Sequence, residues 1–328
     1  MTTLKRVHPQ VEQIRSQFND VSVELYLIRG ERNIIIDTGI NQSPQKDIFP
    51  SLKSIGLTFS EIDLILNTHG HFDHTGGNAA VKDASGAKIF IHKDDAPFLY
   101  NRDLCFELYF APVIKAMGGD LQTGKAAFTE MAGSETVADQ QLEEGMIIDG
   151  GAGIELRVVC LPGHTLGSVG FFWEKEGILF SGDSVMGLHI EGGKFPIIFD
   201  IPAYTKSLQR LQEMPINFLL CGHPYRGLRL PPFFIRQGRE VRQYLRECQE
   251  FLERLDEAVD KVKRDLSEKG FMQLADEVIA QLPKEMGFKP MTQVERPLYS
   301  AHTIFFILCQ HGKEKCFKWI HPLQLYII

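Results

Sequence analysis

No stretch of this 328-residue chain stays apolar for the roughly 20 residues that a membrane-crossing helix needs, so a membrane partner is not expected. The N-terminal segment MTTLKRVHPQVEQIRSQ starts basic but has no apolar stretch behind it, which argues against a secretory leader. Basic charge is also short. With 35 Lys and Arg against 42 Asp and Glu, the formal net charge is −7. Such a chain lacks the basic face that long phosphate backbones require, which excludes nucleic acid as the main partner but leaves room for a small-molecule substrate, even an anionic one. The six cysteines (Cys105, Cys160, Cys221, Cys248, Cys309 and Cys316) show neither CxxC pairs nor framework spacing, so they are expected to be reduced and mostly buried. There is no internal repeat and no low-complexity tract. Together these absences predict a cytoplasmic protein.

What is present is ordinary globular material, 44% hydrophobic and 23% charged, enough for a buried core. The length suggests one large domain and a smaller one. VSVELYLIRGERNIIIDTG reads as a hairpin ending at Asp37-Thr38-Gly39. A helix near Asp47 to Ile55, the strand IDLILN, the helix HTGGNAAVKDA and the strand KIFIHK then alternate. From about Tyr100 to Val137 the pattern loosens into a helical insertion of a kind that often covers a site. Strands resume with IELRVVCL, VGFFWE and GILFSGD, followed by the helix AYTKSLQRLQEM and the strand INFLLCGH. Beyond Pro231-Pro232 the residues Val241, Tyr244, Leu245, Cys248, Leu252, Leu255, Val259, Val262 and Leu266 recur three and four apart, predicting one long amphipathic helix. Its seam is expected to pack within its own domain, with a homodimer contact as the alternative. Shorter helices near Met272 to Gln281 and Ser300 to Gln310 complete a predicted α-helical unit, giving expected domains of 1–232 and 233–328.

The chemistry concentrates at strand ends. THGHFDHTGG packs His69, His71, Asp73 and His74 into six residues at a strand-to-helix turn. Imidazole nitrogens and carboxylate oxygens are donors that zinc, iron or manganese accept, and one turn aims several of them into a single space. Three further donors follow apolar strands: His164 in LPGHTLGS, Asp183 in LFSGDS and His223 in LLCGHP. All three are therefore expected to meet the first cluster at one sheet edge, the usual place for a site in layered α/β folds.

The order HxHxDH, then His, Asp and His resembles the metallo-β-lactamase superfamily over roughly residues 20 to 230, particularly its glyoxalase II-like and lactonase-like hydrolases. IDTG and GHTLGS resemble the family's stretches too. The resemblance implies an α/β fold, a four-layer αββα sandwich with the site at one edge, here followed by the α-helical C-terminal domain. It also implies two divalent metal ions, zinc first, with iron or manganese as alternatives. His69, His71 and His164 would hold one, Asp73, His74 and His223 the other, and Asp183 would bridge them. In such a centre a bridging water loses its proton readily, with a pKa lowered towards about 7, and Asp73 orients the nucleophile or helps protonate the leaving group. Asp63 is the candidate acceptor for a ligand imidazole's second N–H. Thr68, Thr165 and Ser184 are candidate donors beside the ligands. His189, Tyr204 and Tyr225 are candidate substrate contacts, while His92 and His302 read as structural.

Departures narrow the expectation. The zinc β-lactamases of the family often carry Cys where Asp183 stands or lack the last His of the motif, the flavodiiron branch has Glu where His71 stands, and RNA-processing relatives carry a basic exosite. A glutathione-binding set is not recognisable in 236–318. The expected function is hydrolysis of an activated carbonyl, a thioester or a lactone, by a metal-bridging hydroxide. The alternatives are a phosphodiesterase with the same two metals, or a regulatory protein that retains the metals.

Overall fold

The computed structural model describes residues 3–18, 21–188, 195–262, 269–293 and 298–311. Among the described residues, thirteen strands form two sheets. The first holds β1 (Thr3–His8), β2 (Val11–Phe18), β3 (Val21–Ile28), β4 (Asn33–Ile36), β5 (Ile62–Leu66), β6 (Lys88–His92) and β7 (Gln140–Leu142), in that order across the sheet. The second runs β13 (Phe233–Gln237), β12 (Phe218–Tyr225), β11 (Ile178–Gly182), β10 (Val169–Trp173), β9 (Ile154–Cys160) and β8 (Ile147–Gly151). β1 to β4 are antiparallel, whereas β4 to β7 run parallel, joined by helical crossovers.

Two-residue periodicity divides each strand between two cores. Tyr26, Ile28, Ile34 and Ile36 of the first sheet meet Phe171, Trp173, Ile178 and Phe180 of the second in the core between the sheets. The intervening Leu25, Leu27 and Ile35 face outward instead, under Leu52 and Val81 of the helices Phe49–Ser54 and Asn78–Ser85. Phe172, Leu179 and Leu219 do the same on the other side, where the remaining helices lie. Strands covered on both faces must be apolar throughout, which explains why NIII and VGFFW run nearly unbroken. The result is the expected αββα sandwich.

One feature differs from the sequence reading. Phe233–Gln237 pairs antiparallel with β12, so the second sheet extends past residue 232 and the helical region begins at Arg239. The Pro231-Pro232 break marks the turn into this edge strand, where prolines are tolerated. The seam of the helix Arg239–Val262 is buried in the same core as Phe98, Phe172 and Ala301, so that face is occupied within the chain; Leu266 lies outside the described residues. The cysteines of the described residues are unbridged, with Cys316 outside that set. Among the described residues no helix is long and apolar enough to cross a membrane.

Because Phe171 is fully buried between the sheets, Phe171→Ala is expected to cost about 3–5 kcal/mol in urea unfolding. Leu166, 59% exposed, should tolerate Ala within about 0.5 kcal/mol. Equal losses at the two positions would contradict this packing.

Candidate metal centre

The parallel register of β4, β5 and β6 brings their C-terminal ends to one edge of the sandwich. β9, β11 and β12 point the same way in the second sheet. The loops leaving these strands carry six of the seven donors identified from the sequence, the last part of β12 carries the seventh, His223, and the structure brings all seven together. Three clusters have donor atoms within 4.8 Å of one another: His69, His71 and His164; His69, His74 and Asp183; and Asp73, His74 and His223. Nε2 of His69 lies 3.1 Å from Nε2 of His164, and Nε2 of His74 lies 3.3 Å from Nε2 of His223. Asp183 Oδ2 is 3.6 Å from His164 Nε2 and 3.3 Å from His223 Nε2, which puts this carboxylate between the outer clusters. Asp73 Oδ2 is 3.4 Å from His223 Nε2.

Close backbone approach makes this possible. A Cβ at Gly222 would lie 2.5 Å from Asp183 Oδ1 and 2.9 Å from the His74 ring, so only glycine fits beside the ligands in β12, the strand that carries His223.

The outward-facing ring nitrogens are committed to fixed acceptors. His74 Nδ1 donates to Asp37 Oδ2 at 2.8 Å, His164 Nδ1 to the Ile197 carbonyl at 2.6 Å, and His223 Nδ1 to the Ser22 carbonyl at 2.5 Å. Thr68 Oγ1 donates to Asp37 at 2.8 Å, which leaves its lone pair for His69 Nδ1 at 3.1 Å. Each bond fixes the tautomer, so the Nε2 lone pair of these four rings points inward. Asp37 performs this at φ +60°, a region that Asp tolerates better than most residues, with its second oxygen accepting from Thr68 N at 2.9 Å.

The donor set fits divalent cations. Donors held about 2.0–2.1 Å from one tetrahedral ion stand about 3.3 Å apart, which is the spacing seen here. His71 Nε2 and Asp183 Oδ1 are buried without a hydrogen-bond partner among the described residues, an expensive arrangement unless something else satisfies them. Burial and the neighbouring imidazoles hold His69 well below the usual histidine range, and burial with His164 does the same for His71. Burial opposes charge on His74 and His223 as well, yet Asp183 with its neighbouring carboxylates raises both, His223 to about 10. Burial would likewise raise Asp73, but His74 and His223 bring it down to about 2. The carboxylates thus set a field that calls for positive charge at this point.

Other expectations land differently. Asp63 is exposed and its carboxylate accepts from Asn33 N at 2.7 Å, away from every imidazole. As a residue of β5 it alternates outward, and Asp37 takes the role foreseen for it. Tyr204 is fully buried, and its hydroxyl accepts from Met186 N at 2.6 Å, bracing the turn after Asp183. Tyr225 is buried, with its ring 5.9 Å from that of His223. His189 lies outside the described residues. Thr165 donates to Asp95, whereas Ser184 Oγ is buried without a partner among the described residues.

Several contributors escaped the sequence reading. Asp95 accepts from Gly70 N at 2.7 Å, Gly167 N at 2.9 Å and Thr165 Oγ1 at 2.7 Å, tying the first ligand loop to the His164 loop. Burial pushes it up to about 6 against these bonds. Nothing in its own stretch, HKDDAP, signals that role. The insertion, helical over 97–132, supplies Tyr109 and Phe110, whose rings stand 5.3 and 5.8 Å from His71; Phe199 stands at 5.7 Å. His302, expected to be merely structural, packs 5.2 Å from Phe110.

If these donors grip cations, His71→Ala and Asp183→Asn should each lower the metal content of purified protein sharply by elemental analysis. Undiminished loading in both would refute the assignment. Asp37→Asn should weaken metal affinity about 10- to 100-fold by removing the anionic acceptor of His74. The exposed Asp63→Asn should leave affinity unchanged, and a chelator competition titration compares the two.

Residues 19–223 match the family model of the metallo-beta-lactamase superfamily. A hydroxyacylglutathione hydrolase of Rhodospirillum rubrum is 28% identical over 191 residues, 57% of this chain and 56% of that protein, so this chain spans little more than half of its length. A probable metallo-hydrolase of Methanocaldococcus jannaschii is 27% identical over 208 residues, 62% of this chain and 89% of that one. A metallo-beta-lactamase family protein of Thermus thermophilus, with 20% identity and a TM-score of 0.66 over 94% of this chain and 95% of its own, shares the fold. With the matched region covering every ligand loop and both sheets arranged as that fold requires, the chain belongs to the metallo-β-lactamase superfamily.

Proposed function

We propose that the protein hydrolyses an activated carbonyl compound, a thioester or a lactone, at a dinuclear centre. His69, His71 and His164 would hold one divalent cation, Asp73, His74 and His223 the other, with Asp183 reaching both. The observation that carries this reading is the position of the Asp183 carboxylate between two three-donor clusters. Neutral imidazoles with carboxylates are borderline donors, which favours zinc. Divalent cations bound there supply Lewis acidity, which makes water nucleophilic near neutral pH and polarises the substrate carbonyl.

The chain's own residues do the rest. Asp73 has the most exposed side chain of the site's carboxylates, 16% against 5% for Asp183 and 2% for Asp37. Substrate and water therefore enter past it. Held as a carboxylate, it accepts a hydrogen bond from the attacking water and fixes its direction, takes that proton as the water oxygen bonds to the carbonyl carbon, and gives it to the departing sulfur or oxygen as the bond to the leaving group breaks. The aromatic rings beside His71 form an apolar wall for the acyl portion and keep competing water away from the carbonyl. The similarity to a hydroxyacylglutathione hydrolase supports the thioester branch of this reading.

Zinc-loaded protein is expected to turn over generic thioesters or lactones, monitored by thiol release and by pH-stat, and to leave bis-p-nitrophenyl phosphate nearly untouched. Turnover of the phosphodiester alone would replace this reading with phosphodiesterase chemistry. No turnover of any of the three would point to a binding role.

A further inference from the structure

Thr303 is remote from His164 in sequence, yet the two grip opposite ends of one peptide group. The carbonyl of Ile197 accepts from His164 Nδ1 at 2.6 Å. The N–H of that same peptide unit belongs to Ile198, and it donates to Thr303 Oγ1 at 3.0 Å. The Thr303 hydroxyl in turn donates to the carbonyl of Pro196, so its hydrogen and one of its lone pairs are both committed to the backbone segment that faces His164. Thr303 is fully buried, in the helix Leu298–His311.

A trans peptide carries its C=O and N–H in one rigid plane, pointing in opposite directions. Holding the N–H therefore aims the C=O, and rotation of this peptide away from His164 would break the bond to Thr303 at the same time. Donation by the N–H also polarises the group and makes its carbonyl a better acceptor, as in any chain of hydrogen bonds in a low-dielectric interior. Two further bonds hold the segment in place: Phe199 N and Asp200 N both donate to the Gly163 carbonyl at 2.9 Å, immediately before His164. Gln310, two turns further along the same helix, donates to the Phe199 carbonyl at 3.2 Å.

We propose that Thr303 is a positioning residue for the first metal site: through the Ile197–Ile198 peptide it fixes the tautomer and ring direction of His164, so that a residue of the C-terminal helix sets the affinity of the cluster His69, His71 and His164. This rests on the reading of those residues as cation ligands. Without the hydroxyl, the Ile198 N–H is left buried and unpaired, and the peptide regains freedom to turn. His164 then loses its fixed acceptor. The cluster Asp73, His74 and His223 hangs from Asp37 and Ser22 instead and does not share the clamp.

The test uses the full chain with zinc alone, titrated calorimetrically and by chelator competition. Wild type is expected to bind two equivalents. Thr303→Val should weaken one of the two sites by about 10- to 100-fold and spare the other, and Thr303→Ser, which keeps the hydroxyl, should restore it. Wild-type affinities at both sites in Thr303→Val would overturn the proposal. So would an equal loss at both sites that Thr303→Ser fails to rescue, since that pattern reports general loosening. Should Thr303→Val not fold, Thr303→Ala removes the hydroxyl without adding a methyl group and reads the same quantity. If wild type itself bound no zinc, the ligand reading would fail on its own, and the clamp would be read from the ¹⁵N-labelled histidines of the same proteins. The His164 Nδ1–H signal should be protected from exchange in wild type and Thr303→Ser and lost in Thr303→Val; its persistence there would sink the clamp.

Discussion

The packing of three carboxylates, Asp37, Asp73 and Asp183, against buried imidazoles is the constraint on which the rest of the site depends. Like charges cannot be buried side by side without compensation. The compensation is arranged from outside inward. Asp37 spends both oxygens on the Thr68 backbone, the Thr68 hydroxyl and His74, so it is satisfied within the protein. Asp183 has an oxygen with no hydrogen-bond donor among the described residues, and its shortest contacts are inward-pointing ring nitrogens. Because the Nδ1 atoms of four rings are tied to fixed acceptors, the rings cannot turn to relieve the charge themselves. Rigidity of the outer bonds is thus what makes the inner surface a cation site rather than a self-satisfied polar core.

Those outer bonds come largely from elsewhere in the chain, and the C-terminal helices supply more of them than a cover would need. Tyr244 of the helix Arg239–Val262 accepts from Gly187 N at 2.9 Å, beside the Tyr204 bond to Met186, so the turn after Asp183 is held from two helices. Glu247 accepts from Arg229 N and Leu230 N, and buried Arg236 donates to the Tyr225 carbonyl at 2.9 Å, fixing the chain that leaves His223. A detachable lid would pack through apolar contact alone. Here polar side chains of 236–303 cap backbone groups in the loops that follow the ligands, and losing the helices would orphan those groups at the site.

The ligands were legible in the sequence because each follows an apolar strand and donor type alone marks it. Four of them also share one short turn. The succession of strands and helices was legible because unbroken apolar strands leave a pattern in composition, whereas the four-layer sandwich followed from the resemblance to the family. β1 and β13 were not legible, since they are edge strands and TLKRVH or FFIRQ carries charge at positions that a central strand would fill with aliphatic residues. Asp37 and Asp63 show the limit most directly. Both are aspartates beside apolar strands of the same sheet, and only register tells them apart: Asp37 follows Ile36 at the C-terminal edge, where the ligands gather, while Asp63 sits near the start of β5 and pairs with Asn33 at the far end. Sequence distance gives no hint of Thr303 or Asp95, because what they hold is backbone, and backbone partners leave no trace in residue type.

The two sides of the site differ in a way that bears on how it discriminates. Around His71 and His164 the neighbours are rings: Tyr109 and Phe199 lie 4.3 Å apart and Phe306 lies 4.8 Å from Phe199, all well buried. Around His223 the Tyr225 ring, 5.9 Å away, is joined by polar groups, the Ser22 carbonyl and the Asp73 and Asp183 carboxylates. A substrate spanning the site would therefore bury its apolar end against the insertion and the C-terminal helix, while its polar or charged end stays towards Asp73 and solvent. Tight aromatic packing rejects groups that are too large more sharply than it selects among small ones, since an added methylene forces well-packed neighbours off their rotamers, whereas one missing methylene changes binding by only about 1–3 kcal/mol. If the proposed reading holds, the wall built by residues 109–110, 199 and 306 is the place where the size of an acyl portion would be read, and the ligands behind it would read only that a polarisable carbonyl has arrived.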